Sequence, residues 1–148
     1  MIMEKTVKTR VGMFEVNSSS CHSLSVCLDN KNLTYQYIEP SNDGNNIITA
    51  YVMDELDDVG DHTTPLDKLN YVVSYIEYTK NIKNEKVQSM YDTLHELIRE
   101  HTGAELVIED GDSYISDWND YTSIFSNKDL LKRFLFLPDS HIETSYNG

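Results

Sequence analysis

Apolar and polar positions alternate through the first third of the chain, and then the period changes. Residues 7–16 read as a strand, and residues 24–28 as its return after a polar turn. Leu24, Val26 and Leu28 alternate with Ser25, Cys27 and Asp29, the period of two shown by a half-buried strand. Cys27 is therefore expected on the face opposite Leu24, Val26 and Leu28. Residues 33–39 and 47–53 predict a second hairpin across the connection PSNDGNN, which is dense in turn formers. Together these segments predict an antiparallel meander of about four strands.

From Thr64 onward the pattern is helical. Thr64 offers a capping hydroxyl, Pro65 suits a first helical position, and Asp67 lies near the positive helix end. Leu66, Leu69, Val72, Val73 and Ile76 form one apolar stripe. After the polar break KNIKNEK, Val87, Met90, Tyr91, Leu94, Leu97 and Ile98 form a second stripe that stops at Gly103. Two one-faced helices with a short connection predict an antiparallel helical hairpin packed on a sheet. Residues 105–109 (ELVIE) predict a short strand, and residues 110–126 show no clear period. Ser126 and Asn127 open a last helix, with Leu130, Leu131, Phe134 and Leu135 on one side and Pro138 beyond its end. Residues 141–145 predict a final short strand.

A chain of 148 residues with no internal repeat and no composition break fits one domain, spanning 1–148. The expected class is α+β: an antiparallel sheet of about four to six strands, with the helical hairpin and the C-terminal helix packed on one face.

Charge narrows the choice of partners. The net charge is -13, and it is unevenly placed. Residues 54–64 (DELDDVGDHTT) hold Asp54, Glu55, Asp57, Asp58 and Asp61 with no base, and residues 104–126 hold six acids with no base. Nucleic acid and anionic membrane are poor partners for such a surface, because phosphate binding needs clustered Lys and Arg. A protein with a basic surface suits it better. No apolar run approaches the length of a membrane span. The start, MIMEKTVKTR, lacks the apolar core of a secretory signal, so a cytoplasmic location is expected. Cys21 and Cys27 fit no zinc spacing and are expected as reduced thiols.

The chemical motifs are weighed on geometry. HELIREH places His95 and His101 six residues apart, which turns the second ring about 240° away from the first on a helix. Zinc helices use a spacing of four, so both histidines are expected to be structural, with His101 packing near a helix end. In EDGDSYISDWND a calcium loop opening at Asp110 would need an oxygen ligand at Tyr114 and glycine at Ile115. That match fails, and no metal or cofactor is expected. The stretch is nonetheless rich in Tyr114, Ile115, Trp118, Tyr121, Ile124 and Phe125, which must pack on the domain or on a partner. Asp110, Asp112, Asp117 and Asp120 around Tyr114, Trp118 and Tyr121 are the candidate partner-binding set, together with the carboxylates of 54–64. Carboxylates around aromatic anchors can imitate nucleic acid toward a basic groove.

FEVNSSSCHS, residues 14–23, is the other candidate. Asn17, Ser18, Ser19 and Ser20 could cap backbone groups in a turn, or cradle a phosphate-bearing ligand with Arg10 as its charge partner. Ser20 and His22 share a face at period two, whereas Cys21 points away unless the turn bends it toward His22, so Ser20 is the better nucleophile candidate and His22 the base candidate. No glycine-flanked nucleophile elbow is present.

Arg10, Gly12, Phe14, Glu15, Asn17, Ser18, Ser19, Ser20, His22 and Ser23 form R-x-G-x-F-E-x-N-S-S-S-x-H-S. This pattern resembles the opening signature of a loose family of bacteriophage and bacterial proteins to which no activity is attached. The end, FLFLPDSHIETSYNG, is similar to C-termini in that family. The resemblance implies a phage or prophage origin and adds weight to the NSSS turn as a binding feature. The leading expectation is a small acidic accessory protein that binds a host or phage protein, in the style of a nucleic-acid mimic. The alternatives are an enzyme or small-ligand binder at the NSSSCHS turn, and a structural virion or assembly component.

Overall fold

A computed structural model describes residues 22–31, 33–41, 44–54, 64–82, 85–111, 113 and 120–144. Its elements in chain order are β1 (His22–Ser25), β2 (Ile47–Tyr51), α1 (Pro65–Asn81), α2 (Val87–Thr102), β3 (Glu105–Glu109), α3 (Thr122–Phe125), α4 (Lys128–Phe136) and β4 (His141–Thr144). Helices and strands are mixed, but among the described residues the strands form two sheets of two strands each. Neither the larger antiparallel sheet nor the four-stranded meander expected from the alternation is seen among the described residues. The segment 7–16 lies outside the described residues.

β1 and β4 pair antiparallel, with Leu24 opposite Ile142 and both side chains fully buried. β2 and β3 pair parallel, with Ile48 opposite Leu106 and Tyr51 opposite Glu109. This corrects the hairpin expected between 33–39 and 47–53. PSNDGNN does turn: Gly44 and Asn46 have positive φ, and the Ser41 amide donates to the Ile47 carbonyl at 2.8 Å. Among the described residues no ladder extends beyond it. Residues 33–39 run as irregular chain toward α4, where the Gln36 amide donates to the Phe136 carbonyl at 2.7 Å. β2 takes β3 instead, because α1 and α2 supply the long crossover that parallel pairing needs. Ile48, Ala50 and Leu106 on the inner face are then buried, against helices α1 and α2. The outward edge of β2 is closed by α1: Asn70 Oδ1 accepts from the Tyr51 amide at 2.8 Å and Ser74 Oγ from the Met53 amide at 2.7 Å, which blunts an edge open to pairing.

The helices follow their caps. Thr64 Oγ1 accepts from the Asp67 amide at 3.2 Å at the start of α1. Asn127 Oδ1 accepts from the Leu130 amide at 3.0 Å at the start of α4. Gly103, at φ 76°, ends α2, a left-handed position that favours glycine. α2 buries one face through Met90, Leu94, Leu97 and Ile98. α1 is different. Lys68, Leu69 and the whole run from Tyr71 to Ile76 are buried, with Thr79, because α1 packs on β2, α2 and α4 at once. Leu66, expected in its stripe, is 40% exposed, because it lies ahead of the enclosed stretch, which begins at Lys68. The aperiodic stretch contains the short helix α3. Tyr121, Ile124 and Phe125 enter the core there, with Phe125 edge-on to Tyr75 at 5.2 Å and the Tyr75 hydroxyl accepting from the Tyr121 amide at 2.7 Å. Cys27, expected opposite Leu24, is buried as well, because β1 ends at Ser25 and the strand alternation ends with it.

Two long cations tie the pieces together. Lys68 is fully buried. Its ammonium donates to the Ser140 carbonyl at 2.7 Å and the Leu137 carbonyl at 3.2 Å, while Ser140 Oγ accepts from the Cys27 amide at 2.8 Å. Arg133 donates from Nη1 to the Asp29 carbonyl at 3.2 Å, from Nη2 to Asn30 Oδ1 at 2.5 Å and from Nε to Asp129 at 3.1 Å. α1, α4, the α4–β4 turn and the chain after β1 thus share one polar knot. Burial among apolar groups lowers the Lys68 pKa to about 7.

Two outcomes follow. Between about pH 7 and 10.5 the unfolded chain holds a proton at Lys68 that the folded chain has released. Stability should therefore rise with pH across that window and level off above it. Lys68→Met should remove this rise, read by denaturant unfolding at a series of pH values; an unchanged slope would mean that Lys68 is not the group responsible. Asn46 Nδ2 donates to the Gly103 carbonyl at 2.6 Å from a residue at φ 55°. Asn46→Ala should cost about 1–2 kcal/mol, through a lost hydrogen bond and left-handed strain. Asn46→Gly should cost less, since it restores the backbone freedom.

Candidate functional site

The parallel register decides where the chain carries its carboxylates as it leaves β2 and β3. Tyr51 and Glu109 are partners at the C-terminal ends of β2 and β3, so both strands deliver the chain to the same end of the sheet. Asp54 follows β2 and Asp110 follows β3, and both are exposed. The two strand exits are close: a Cβ placed on Gly111 would lie 3.2 Å from Val52 Cβ. The outer face of this sheet shows Glu105, Val107, Glu109 and Tyr51 to solvent. Tyr51 is 50% exposed and Val107 43%, so the carboxylates frame a partly apolar strip.

The other expected site residues divide. Glu55, Asp57, Asp58, Asp61, Asp112, Tyr114, Asp117 and Trp118 lie outside the described residues. So do Arg10, Asn17, Ser18, Ser19 and Ser20, and the side chain of His22 at the start of β1. Asp120 is exposed, but its Oδ1 accepts from Thr122 Oγ1 at 2.6 Å and from the Thr122 amide at 3.1 Å, so it serves to start α3. Tyr121, expected as a partner-facing anchor, is fully buried against Tyr75 and Phe125. Its place is the core, because α3 turns the aromatic side of this segment inward. Among the described residues no group of three or more His, Cys, Asp and Glu side chains is placed to hold a metal ion. No described helix is long and apolar enough to cross a membrane.

A hollow near Asp110 is lined by Glu77, Asp92, Tyr91 and His95 from α1 and α2. The Tyr91 hydroxyl donates to Glu77 across the helix pair. A larger cleft of about 510 Å³ opens at the other end of α2. It is lined by Tyr37, Leu97, Glu100, His101, Lys128, Asp129 and Lys132. His101 and Tyr37 stack in parallel with centroids 4.3 Å apart, and the opposite side of His101 meets Phe136 at 4.2 Å. His101 Nε2 donates to the Gln36 carbonyl at 2.9 Å; a carbonyl can only accept, so this nitrogen carries the proton. The expected packing role of His101 is met, in a stack whose outer ring lines a cleft. Tyr37 and Lys132 carry no signal of a site in the sequence, since both come from segments without site-like spacing. The burial of Lys68 has one signal in the sequence: Tyr71, Val72, Tyr75 and Thr79 continue its own face of α1.

Comparison with known proteins finds no matching family model, no matching curated protein and no matching solved structure.

Proposed function

We propose that this chain is a small acidic accessory protein of bacteriophage type, working in the host cytoplasm by binding the basic surface of a host or phage protein, in the manner of a nucleic-acid mimic. One observation carries the reading. The parallel pairing of β2 and β3 sets Asp54, where the first acidic stretch starts, and Asp110, inside the second, at the same end of one sheet. In the sequence these stretches are separated by two helices and carry acids without a base in 54–64 and in 104–126. Carboxylates gathered at one end raise the local negative potential and steer a basic surface toward it. The strip of Tyr51 and Val107 beside them supplies apolar area that a purely electrostatic contact would lack.

The test uses the immobilised chain with host-cell lysate. A captured partner should elute between about 0.05 and 0.5 M salt, as the Debye length shrinks, and duplex DNA should displace it. The triple variant Asp54→Asn, Glu109→Gln, Asp110→Asn should lose most of the capture while keeping its melting temperature. Capture by that variant equal to the native chain at every salt concentration, or capture indifferent to DNA, would sink the proposal.

A further inference from the structure

The cleft at Tyr37 stands apart from the acidic strand ends. Asp110 neighbours Gln88 and Tyr91 at the start of α2, whereas the cleft uses Leu97, Glu100 and His101 at its end. Its charges are mostly already matched. Lys128 bridges Glu96 at 2.9 Å and Glu100 at 3.0 Å. Asp129 holds Arg133 at 3.1 Å. Lys132 differs: its ammonium lies 4.5 Å from the centroid of the Tyr35 ring, and among the described residues no carboxylate is paired with it. It is the cleft's available cation.

Tyr37 is the cleft's available ring. It is 64% exposed, yet it is held. Gln36, beside it, is pinned at both backbone groups, its amide to the Phe136 carbonyl at 2.7 Å and its carbonyl to His101 Nε2 at 2.9 Å. The interplanar angle of 1° with His101 fixes the ring as the outer member of the stack Phe136, His101, Tyr37. A large ring held in place while exposed loses little entropy when a second ring packs against it. Ring-on-ring packing is worth about 0.5–1.5 kcal/mol beyond area burial. The chain's net charge of -13 opposes a polyanion, so a nucleic acid strand is a poor occupant, and a single negative group matched to a single ammonium is the better fit.

We propose that this cleft binds a planar aromatic ring carrying one carboxylate, the ring packed with Tyr37 and the carboxylate paired with Lys132. Two sources share that chemistry: a free aromatic acid, and the aromatic C-terminal residue of a peptide. The inference does not depend on the acidic strand ends.

The experiment titrates the full chain with indole-3-acetate, followed by amide NMR shifts. The second arm is a tetrapeptide ending in tryptophan with a free carboxylate. Expected are shifts centred on Tyr37, His101 and Lys132 with at least one probe, and binding about tenfold weaker in Tyr37→Ala. Lys132→Gln should weaken binding about threefold or more, with recovery in Lys132→Arg. Indole-3-acetamide, which lacks the charge, should bind as weakly as the acid binds to Lys132→Gln. Binding of the acid alone assigns a free ligand, and tighter binding of the peptide assigns a chain end. No shift with either probe at about 10 mM, a weak limit for a small ligand, would overturn the proposal. So would undiminished binding by Tyr37→Ala, or equal binding of acid and amide. Melting curves of the variants separate loss of binding from loss of fold.

Discussion

The parallel pairing of β2 with β3 is the constraint from which the rest of the molecule follows. Parallel strands cannot be joined by a tight turn, so the chain between them must travel out and back, and here it does so as α1 and α2. That crossover sets Ile48, Ala50 and Leu106 against helices and leaves the other face to solvent. It brings the exits at Asp54 and Asp110 to one end.

Around that unit, β1, β4 and the chain that follows β1 are held by polar ties as well as by apolar contact. β1 and β4 contribute Leu24 and Ile142 to the core. Lys68, Ser140 and Arg133 connect them to α1 and α4 through backbone carbonyls and amides. A buried ammonium held by carbonyls and an aromatic ring is costly, because its desolvation is not offset by an opposite charge. The lowered pKa of Lys68 expresses that cost. Arg133 keeps Asp129 beside it.

The same packing shapes the surfaces on which the functional readings rest. The irregular chain at Gln36 is pinned between α2 and α4, and this is what holds Tyr37 on His101. The acidic strand ends exist because two stretches distant in sequence are joined by a ladder. Neither arrangement has a local sequence signature, since each needs partners contributed by separate elements.

What the sequence by itself determined is local. Thr64, Asn127 and Gly103 mark helix ends through contacts three or four residues long, and the stripe of α2 reads directly as its buried face. The strand at Glu105–Glu109 is legible from the short apolar run Leu106, Val107 and Ile108 between two acids. Mixed helix and strand also follows from the two periods. The tertiary structure alone decided the partner of β2, the burial of Lys68, the inward turn of Tyr121 and the cleft at Tyr37. An alternating strand shows which of its faces is apolar but not which strand will share that face. A helix stripe shows one buried side, whereas α1 is enclosed on several because three elements converge on it.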